Sequence, residues 1–160
     1  MRVIPDDYQG RKYVISAKDR MGNAIDHVRA VRSETFVYIK NYLTDRPLYQ
    51  AAYRDGYASF IHLRQLYAEN QLTPLQASYH DMSKRKSEEL YDLSKDPHQL
   101  NNLAANPEYA STLKQHREQL GIWEDETDDK GRVPSSKAEL KKVFDNAPEK
   151  CVNPEYDLFK

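Results

Sequence analysis

The sequence predicts an α+β fold in which a small antiparallel β-sheet packs against a long C-terminal helix, with a helical insertion between strands. Short runs rich in β-branched and aromatic residues occur at 12–17, 27–32, 35–42 and 90–93, and such runs are typical of strands. Apolar residues then recur at spacings of three or four between 106 and 125. That spacing predicts a helix with one apolar face for the sheet to cover.

The early strands follow from residue alternation and from the connections between them. Residues 12–17 are apolar enough for one strand, and residues 19–23 are expected to form the loop after it. In the segment 27–42, Val28 and its neighbours alternate with polar residues, and the connection at Ser33 is short enough for an antiparallel hairpin. A hairpin alone is marginal in water, so we expect a further strand and a helix on its apolar face.

Two helical regions complete the predicted fold. Residues 56–69 have apolar side chains near helical spacing, and Thr73 with Pro74 can start a second short helix. The longest helix is expected to begin at Asn106, whose side chain can cap it. Its predicted apolar face consists of Tyr109, Leu113, His116, Leu120 and Trp123.

The chain changes character after residue 129. Prolines and a pair of serines interrupt it, and only a brief amphipathic stretch surrounds Leu140. We therefore expect a subdomain at 1–129 and an extended or partly disordered tail at 130–160. The subdomain would comprise a strand and loop at 12–26, a hairpin at 27–42, a helical insertion at 51–80, and a strand with the long helix at 88–125.

Composition and charge limit the kinds of partner. A chain of 160 residues fits one domain, and its net charge of −1 gives no field that would attract nucleic acid or an anionic membrane. No apolar run approaches the roughly 20 residues that span a bilayer, and residues 1–7 lack the apolar centre of a signal peptide. We expect no nucleic-acid partner and no membrane span, and the localisation stays open.

The stretch 88–104 combines a strand, a turn and a capped segment. Asp96 can accept hydrogen bonds from free backbone N–H groups, and Pro97 suits a first helical position, so a short helical turn is expected through Leu103. The stretch contains no nucleophile, metal-ligand set or phosphate cradle. Local chemistry alone therefore predicts scaffold.

The same stretch resembles a segment near the carboxyl end of type I, formylglycine-dependent sulfatases of the alkaline phosphatase superfamily. The family pattern is Glu-Leu-Tyr-Asp-Leu, two residues, Asp-Pro, then a Glu and Asn-Leu-Ala. Residues 89–93, 96–97 and 102–104 match it, while Gln99 replaces the usual Glu. Further similar segments lie at 16–21, 28–32 and 38–42.

The resemblance implies a C-terminal fragment of an enzyme that hydrolyses sulfate esters or sulfamates. It also implies that formylglycine, made from a cysteine in a Cys-x-Pro-Ser-Arg motif, and calcium belong to an upstream catalytic domain. The parent substrate would be a sulfated small molecule or glycan, and parents of this kind are often periplasmic, secreted or lysosomal. This chain alone would contain no cofactor and be inactive.

Two alternatives stay open. One is a fragment of a phosphonate or phosphodiester hydrolase of the same superfamily, and the other is a free-standing, non-catalytic interaction module with the same fold. The nucleophile motif upstream would distinguish a sulfatase parent from a phosphonate or phosphodiester hydrolase parent. A cooperative, monomeric 160-residue chain would favour the interaction module.

Asp19 and Arg20 are the candidate substrate-binding residues. By resemblance, their loop approaches the catalytic pocket, and an arginine can bind a sulfate through two parallel hydrogen bonds. The alternative is that the two residues pair with each other or with the hairpin. No catalytic residue and no metal ligand is predicted.

The remaining reactive residues are expected to be structural. Cys151 lies outside any Cys-x-Pro-Ser-Arg motif and is expected to be an incidental tail thiol, and the acidic pairs at 6–7 and 128–129 are expected in solvated loops. The basic cluster at 84–86 is also expected in a solvated loop, because acidic residues follow it. The five histidines are spread singly, which argues against a zinc site, and His116 is expected to pack at the edge of the helix face.

Overall fold

The structure is a computed structural model. It describes residues 10–50, 53–81 and 85–160, without the side chains of residues 53 and 54. Four strands form one sheet in the order β1-β2-β3-β4. They are β1 Val14–Met21, β2 Ala24–Arg32, β3 Phe36–Asn41 and β4 Glu88–Asp92.

The backbone hydrogen bonds show that the sheet is antiparallel. Asn41 N donates to Ser87 O over 2.9 Å at one end of the β3–β4 pair. Leu93 N donates to Thr35 O over 2.7 Å at the other end. Because residue numbers fall along β3 as they rise along β4, the two strands run in opposite directions. The predicted α+β class with an antiparallel sheet is confirmed.

Four α-helices accompany the sheet in the described part of the chain. They are α1 Ala58–Ala68, α2 Pro74–Ser78, α3 Ala110–Glu126 and α4 Lys137–Asn146. Helices α1 and α2 lie within the insertion predicted at 51–80, of which residues 51 and 52 lie outside the described ranges. Among the residues described, no helix has the length and apolarity to cross a membrane.

The chain divides into two compact units, each assembled from three segments. Of the described residues, unit 1 contains 10–16, Arg29–Ile39 and Glu88–Asp128. Its core is the cluster of Val31, Tyr38, Leu90, Leu113 and Leu120, with Phe36, Tyr109 and Trp123 packed against it. The predicted apolar face of α3 is thus confirmed, and burial of each core leucine contributes roughly 1.5 to 3 kcal/mol.

The entry to α3 also follows the prediction. Asn106 Oδ1 accepts a hydrogen bond from Glu108 N at 3.0 Å and caps a 3-10 turn, Pro107–Tyr109, that leads into the α-helix. A free backbone donor at the start of a helix is costly when it is not satisfied. The side chain of Asn106 therefore fixes where the helical segment begins.

Unit 2 contains Ala17–Val28, Lys40–Ser87 and Asp129–Lys160. Its core is formed by Ile25, Leu140, Cys151 and Tyr156, with Val143, Phe144 and Phe159 packed against it. The sequence predicted an extended or partly disordered tail at 130–160, whereas the structure has α4 and further 3-10 turns there. The boundary of the subdomain at residue 129 stays a prediction.

Helix α4 forms because its first turn is capped and its apolar face is buried. Ser136 Oγ accepts from Glu139 N at 3.3 Å, and Glu139 Oε2 accepts from Ser136 N at 2.8 Å, which completes a capping box. Leu140 on this helix is only 6% exposed. The amphipathic stretch was visible in the sequence, but its partner Ile25 lies more than a hundred residues away.

The helical turn expected after Pro97 does not form. Gln99 takes a positive φ of 56°, which interrupts a right-handed helix. Asp96 still accepts backbone hydrogen bonds, from Leu100 N and Asn101 N, each at 2.8 Å. The predicted role of Asp96 as an acceptor is confirmed, but it stabilises a loop.

Candidate functional site

Asp19 and Arg20 lie in strand β1 and not in the predicted loop. The strand continues to Met21 because Gly22, with φ of 62°, makes the following turn short. Successive strand residues point to opposite faces. Asp19 is exposed, whereas Arg20 is half-buried and its Nη2 donates to Ser135 Oγ at 3.1 Å. The two side chains therefore have different surroundings.

A buried carboxylate on β2, Asp26, accepts hydrogen bonds from several directions. Its side chain has an exposed fraction of 0%. Oδ2 accepts from Lys18 Nζ at 2.8 Å and from Gln50 Nε2 at 3.2 Å. Oδ1 accepts from Arg85 Nη2 at 2.9 Å and from His27 backbone N at 2.9 Å. These donors offset the large cost of removing a carboxylate from water.

Arg85 is almost as deeply buried as Asp26, at 3% exposure of its side chain. Its Nη2 also donates to Asn41 Oδ1 at 3.2 Å, while its Nε and Nη1 are buried without a hydrogen-bond partner in the described chain. The solvated loop predicted at 84–86 is wrong for Arg85, because the buried carboxylate of Asp26 pairs with its guanidinium. Lys84 lies outside the described residues.

The network around Asp26 continues into the last part of the chain. Gln50 Oε1 accepts from Asn153 Nδ2 at 2.9 Å, and Asn153 Oδ1 accepts from Ile25 N at 2.9 Å. Ile25 O in turn accepts from Arg46 Nη1 at 3.0 Å. Buried polar groups need such partners to avoid a desolvation penalty. The network holds β2, the segment after β3 and residue 153 together within unit 2.

Arg46 forms an ion-pair centre beside this network. Its side chain is 5% exposed, and its Nη2 contacts Glu155 Oε1 at 2.9 Å. Its Nε donates to Asp45 Oδ1 at 2.8 Å. This hydrogen bond is the main reason that the pKa of Asp45 is lowered from its ordinary value. The arrangement pairs one guanidinium with two carboxylates and contains no group poised to attack a substrate.

In unit 1, the residues of the 88–104 stretch have structural contacts. Glu88 Oε1 accepts from Tyr38 Oη at 2.6 Å and from Arg117 Nε at 2.8 Å. Burial, followed by this contact with Glu88, raises the pKa of Tyr38. Asn102 Oδ1 accepts from Leu90 N at 3.0 Å, and Asn102 Nδ2 donates to Glu88 O at 3.1 Å. The stretch therefore fastens β4 to the loop before α3, as the scaffold interpretation predicts.

His116 lies within the core of unit 1 and not at the edge of the helix face. It is 2% exposed. Its Nδ1 lies 2.8 Å from Thr112 O, and its Nε2 lies 3.1 Å from Ser33 Oγ. The ring also meets the edge of Tyr13 with centroids 5.5 Å apart. The Nδ1 contact lies within α3, and the Nε2 contact joins the helix to the hairpin.

The described residues do not fit the calcium that the resemblance implies for the parent. They contain no group of three or more His, Cys, Asp or Glu side chains that could hold a metal ion, and calcium takes about six to eight oxygen ligands. The acidic pair at 6–7 lies outside the described ranges. Asp129 Oδ1 accepts from Gly131 N at 3.1 Å and so caps a local turn.

Cys151 belongs to the core of unit 2, contrary to the expected tail thiol. It is 1% exposed, and its Sγ lies 3.3 Å from Asn23 Nδ2. The reason is the burial of residues 130–160 against β2, which the sequence alone did not indicate. A thiol enclosed in this way is protected from solvent.

Comparisons with known proteins show which proteins this chain is similar to. No family model matches the chain. The chain is 36% identical over 128 residues to an ulvan-active sulfatase from Formosa agariphila, and the match covers 79% of this chain and 21% of that protein. It is 51% identical over 41 residues to N-sulphoglucosamine sulphohydrolase from Homo sapiens, covering 26% of this chain and 8% of that protein.

Solved structures with a similar arrangement include a candidate sulfatase from Bacteroides thetaiotaomicron, with 21% identity and a TM-score of 0.49. That match covers 81% of this chain and 19% of the other. A 2-O GAG sulfatase gives 20% identity and a TM-score of 0.49, over 81% of this chain and 19% of the other. The chain spans about a fifth of the length of the ulvan-active sulfatase. The chain is a homologue of sulfatases that corresponds to one piece of those longer proteins, consistent with their C-terminal subdomain.

Proposed function

We propose that this chain is the C-terminal subdomain of a sulfatase, that it is inactive alone, and that it supports an upstream catalytic domain and borders its substrate pocket. The main support is the identity of 36% over 128 residues with the ulvan-active sulfatase. The buried networks of both units are structural, which agrees with a scaffold that leaves the chemistry to another domain.

The substrate class we infer is a sulfated saccharide. One relative is named for activity on ulvan, and the other for N-sulphoglucosamine, which is a sulfated sugar. The parent reaction would then be hydrolysis of a sulfate ester or sulfamate on a sugar. Formylglycine and calcium would be held by the upstream catalytic domain, as the resemblance to sulfatases implies.

Arg20 is the residue of this chain that we propose for contact with the sulfated substrate, with Asp19 beside it on β1. A guanidinium can present two parallel N–H groups to a sulfate. Arg20 is half-buried and its Nη2 is anchored by Ser135 Oγ at 3.1 Å, so its position is restricted before any ligand arrives. Asp19, which is exposed on the other side of the strand, could instead accept hydrogen bonds from sugar hydroxyls.

An exchange of segments tests the proposed function. In the exchange enzyme, this chain replaces the matching segment of the ulvan-active sulfatase; the control is the same sulfatase with that segment deleted. We expect the deletion to abolish sulfate release from ulvan and the exchange enzyme to recover it. An exchange enzyme that is as inactive as the deletion would contradict the proposed function.

A second test needs no chimera. The purified 160-residue chain should release no sulfate from an aryl sulfate or from a sulfated sugar. Turnover that survives further purification would contradict the proposal that this chain is inactive without a catalytic domain. The coding DNA beside this chain should contain a frame with the Cys-x-Pro-Ser-Arg motif. A neighbourhood without such a frame would favour the free-standing module.

A further inference from the structure

The helical insertion leaves an unusual amount of apolar surface uncovered. Of the thirteen large apolar side chains that are exposed in the described chain, six lie between residues 48 and 79. They are Leu48, Tyr57, Ile61, Tyr67, Leu75 and Tyr79. Tyr57, at the N-cap of α1, and Ile61 are four residues apart and so lie on the same side of the helix. We call the surface around these two side chains the insertion face. Exposed apolar residues that lie together usually mark a surface that another molecule covers.

Helix α1 shows the same imbalance within one element. Seven of its eleven residues are apolar, yet none of them is buried. Helix α3, by contrast, buries Leu113, His116, Leu120 and Glu124 although its composition is more polar. A helix with apolar residues around most of its circumference is normally enclosed. Something besides the described chain is therefore needed to enclose α1.

The insertion is folded, so its exposed residues form a defined surface. Tyr49 stacks on Phe60 with ring centroids 5.7 Å apart, and Tyr67 stacks on His80 at 4.8 Å. Tyr49 N also donates to Tyr79 O at 3.1 Å, which ties the segment after β3 to the end of α2. These contacts pack one side of α1 against Tyr49 and His80 and leave Ile61 on the outward side.

The charge of the insertion indicates which kind of molecule covers the insertion face. Residues 53–81 contain two arginines against three acidic residues. Arg64 is already paired with Asp55, at 3.0 Å between Nη2 and Oδ2. A sulfated glycan or an anionic membrane needs an excess of cations, and this segment has none. An apolar surface with balanced charge suits another protein surface.

We propose that the insertion face docks on the catalytic domain of the parent sulfatase. The inference rests on the proposed function and adds the surface that joins the two domains. The chain covers only 21% of the ulvan-active sulfatase, so most of such an enzyme lies outside it. A covalent link gives the two domains a high effective concentration, so a face of modest size is sufficient for docking.

Hydrogen–deuterium exchange of the α1 amides tests the docking. The exchange enzyme is compared with the isolated 160-residue chain, each with and without Ile61→Glu. We expect α1 amides to exchange at least about tenfold more slowly in the exchange enzyme, because docking adds to their local stability. Ile61→Glu should return them to the rate of the isolated chain, since a charge at a central apolar contact weakens an interface strongly.

Ile122→Glu is the matched control, because Ile122 is also an exposed isoleucine on a helix, at 48% exposure against 55% for Ile61. It should leave α1 protection unchanged. Both substitutions should leave the thermal midpoint of the isolated chain unchanged, which shows that neither unfolds it.

Several results would overturn the proposal. Equal α1 exchange in an active exchange enzyme and in the isolated chain would refute the docking while leaving the proposed function intact. An exchange enzyme no better than the deletion would refute both. A dimer of the isolated chain that Ile61→Glu abolishes in sedimentation experiments, together with unchanged α1 exchange in the enzyme, would assign the face to a second copy.

Discussion

At the scale of single residues, Arg20 carries the most direct functional prediction. In the exchange enzyme, Arg20→Ala should lower kcat/KM about tenfold or more, mainly through KM, because it removes a hydrogen-bonding cation from the substrate. Arg20→Lys should recover only part of the loss, since lysine cannot form the bidentate contact. Arg32→Ala, an exposed arginine on β2, is the control. An unchanged kcat/KM for Arg20→Ala would assign Arg20 to packing with Ser135.

Asp26 carries the strongest stability prediction. Asp26→Asn leaves Arg85 buried without its counter-charge, and breaking a buried pair costs about 3 to 5 kcal/mol of unfolding free energy. Urea denaturation of the 160-residue chain measures it. Asp145→Asn is the control, because the Lys141–Asp145 pair is 56% exposed on both sides and should contribute at most about 0.5 kcal/mol. Equal losses of unfolding free energy in the two variants would mean that the buried pair stabilises the chain no more than the exposed pair does.

The residue scale is also where the sequence was least informative. Asp26 and Arg85 are 59 residues apart, so no local pattern links them. The sequence analysis placed residue 26 at the end of the strand and loop 12–26, before the predicted hairpin, whereas the structure has it in β2. An aspartate in a predicted loop does not indicate a buried partner. His116 could be predicted as a packing residue because helical spacing places it with Leu113 and Leu120, but its contact with Ser33 needed the folded hairpin.

At the scale of elements, we expect His80 to make the insertion sensitive to acid. Burial, with the charge of Arg64 as the second cause, lowers the pKa of His80 from its ordinary value of 6.5. Below about pH 6.5, His80 therefore binds more protons in the unfolded chain than in the folded chain, and its contribution to stability falls as the pH falls. The stacked contact with Tyr67 is formed by this ring.

We expect the unfolding free energy to decrease between pH 7.5 and 5.5, and His80→Gln to remove part of that decrease. Chemical denaturation at the two pH values measures it. His62→Gln is the control, because His62 is exposed on α1. If the two variants show the same pH dependence, the ring of His80 is not the source.

Elements with strong local signals were predictable, and elements defined by distant partners were not. Helix α3 has a cap, a regular apolar face and a long run, so its position followed from the sequence. Helix α4 has a capping box too, but three nearby prolines suggested an irregular tail, and its burial depends on Ile25 in another segment. Strand β1 was predicted too short, because Gly22 and not Asp19 begins the turn.

At the scale of the whole molecule, residues 130–160 are a folded part of unit 2. Leu140→Ala should lower the unfolding free energy by about 2 to 5 kcal/mol, as expected for a buried leucine, because it opens the core shared with Ile25 and Tyr156. Leu158→Ala, at a leucine that is 53% exposed, should change it by less than about 1 kcal/mol. Thermal and urea unfolding of both variants measure the difference. Similar small losses of unfolding free energy in both variants would favour the interpretation of residues 130–160 as a loose tail.

The interleaving of the two units has a consequence for synthesis on the ribosome. Unit 1 needs the segment that ends at Asp128, and unit 2 needs Asp129–Lys160. Strands β1 to β3 therefore emerge long before either core can close, and they must wait with their apolar faces unburied. Exposed apolar faces in a partly folded chain favour aggregation, so we expect co-expressed chaperones to raise the soluble yield of the 160-residue chain.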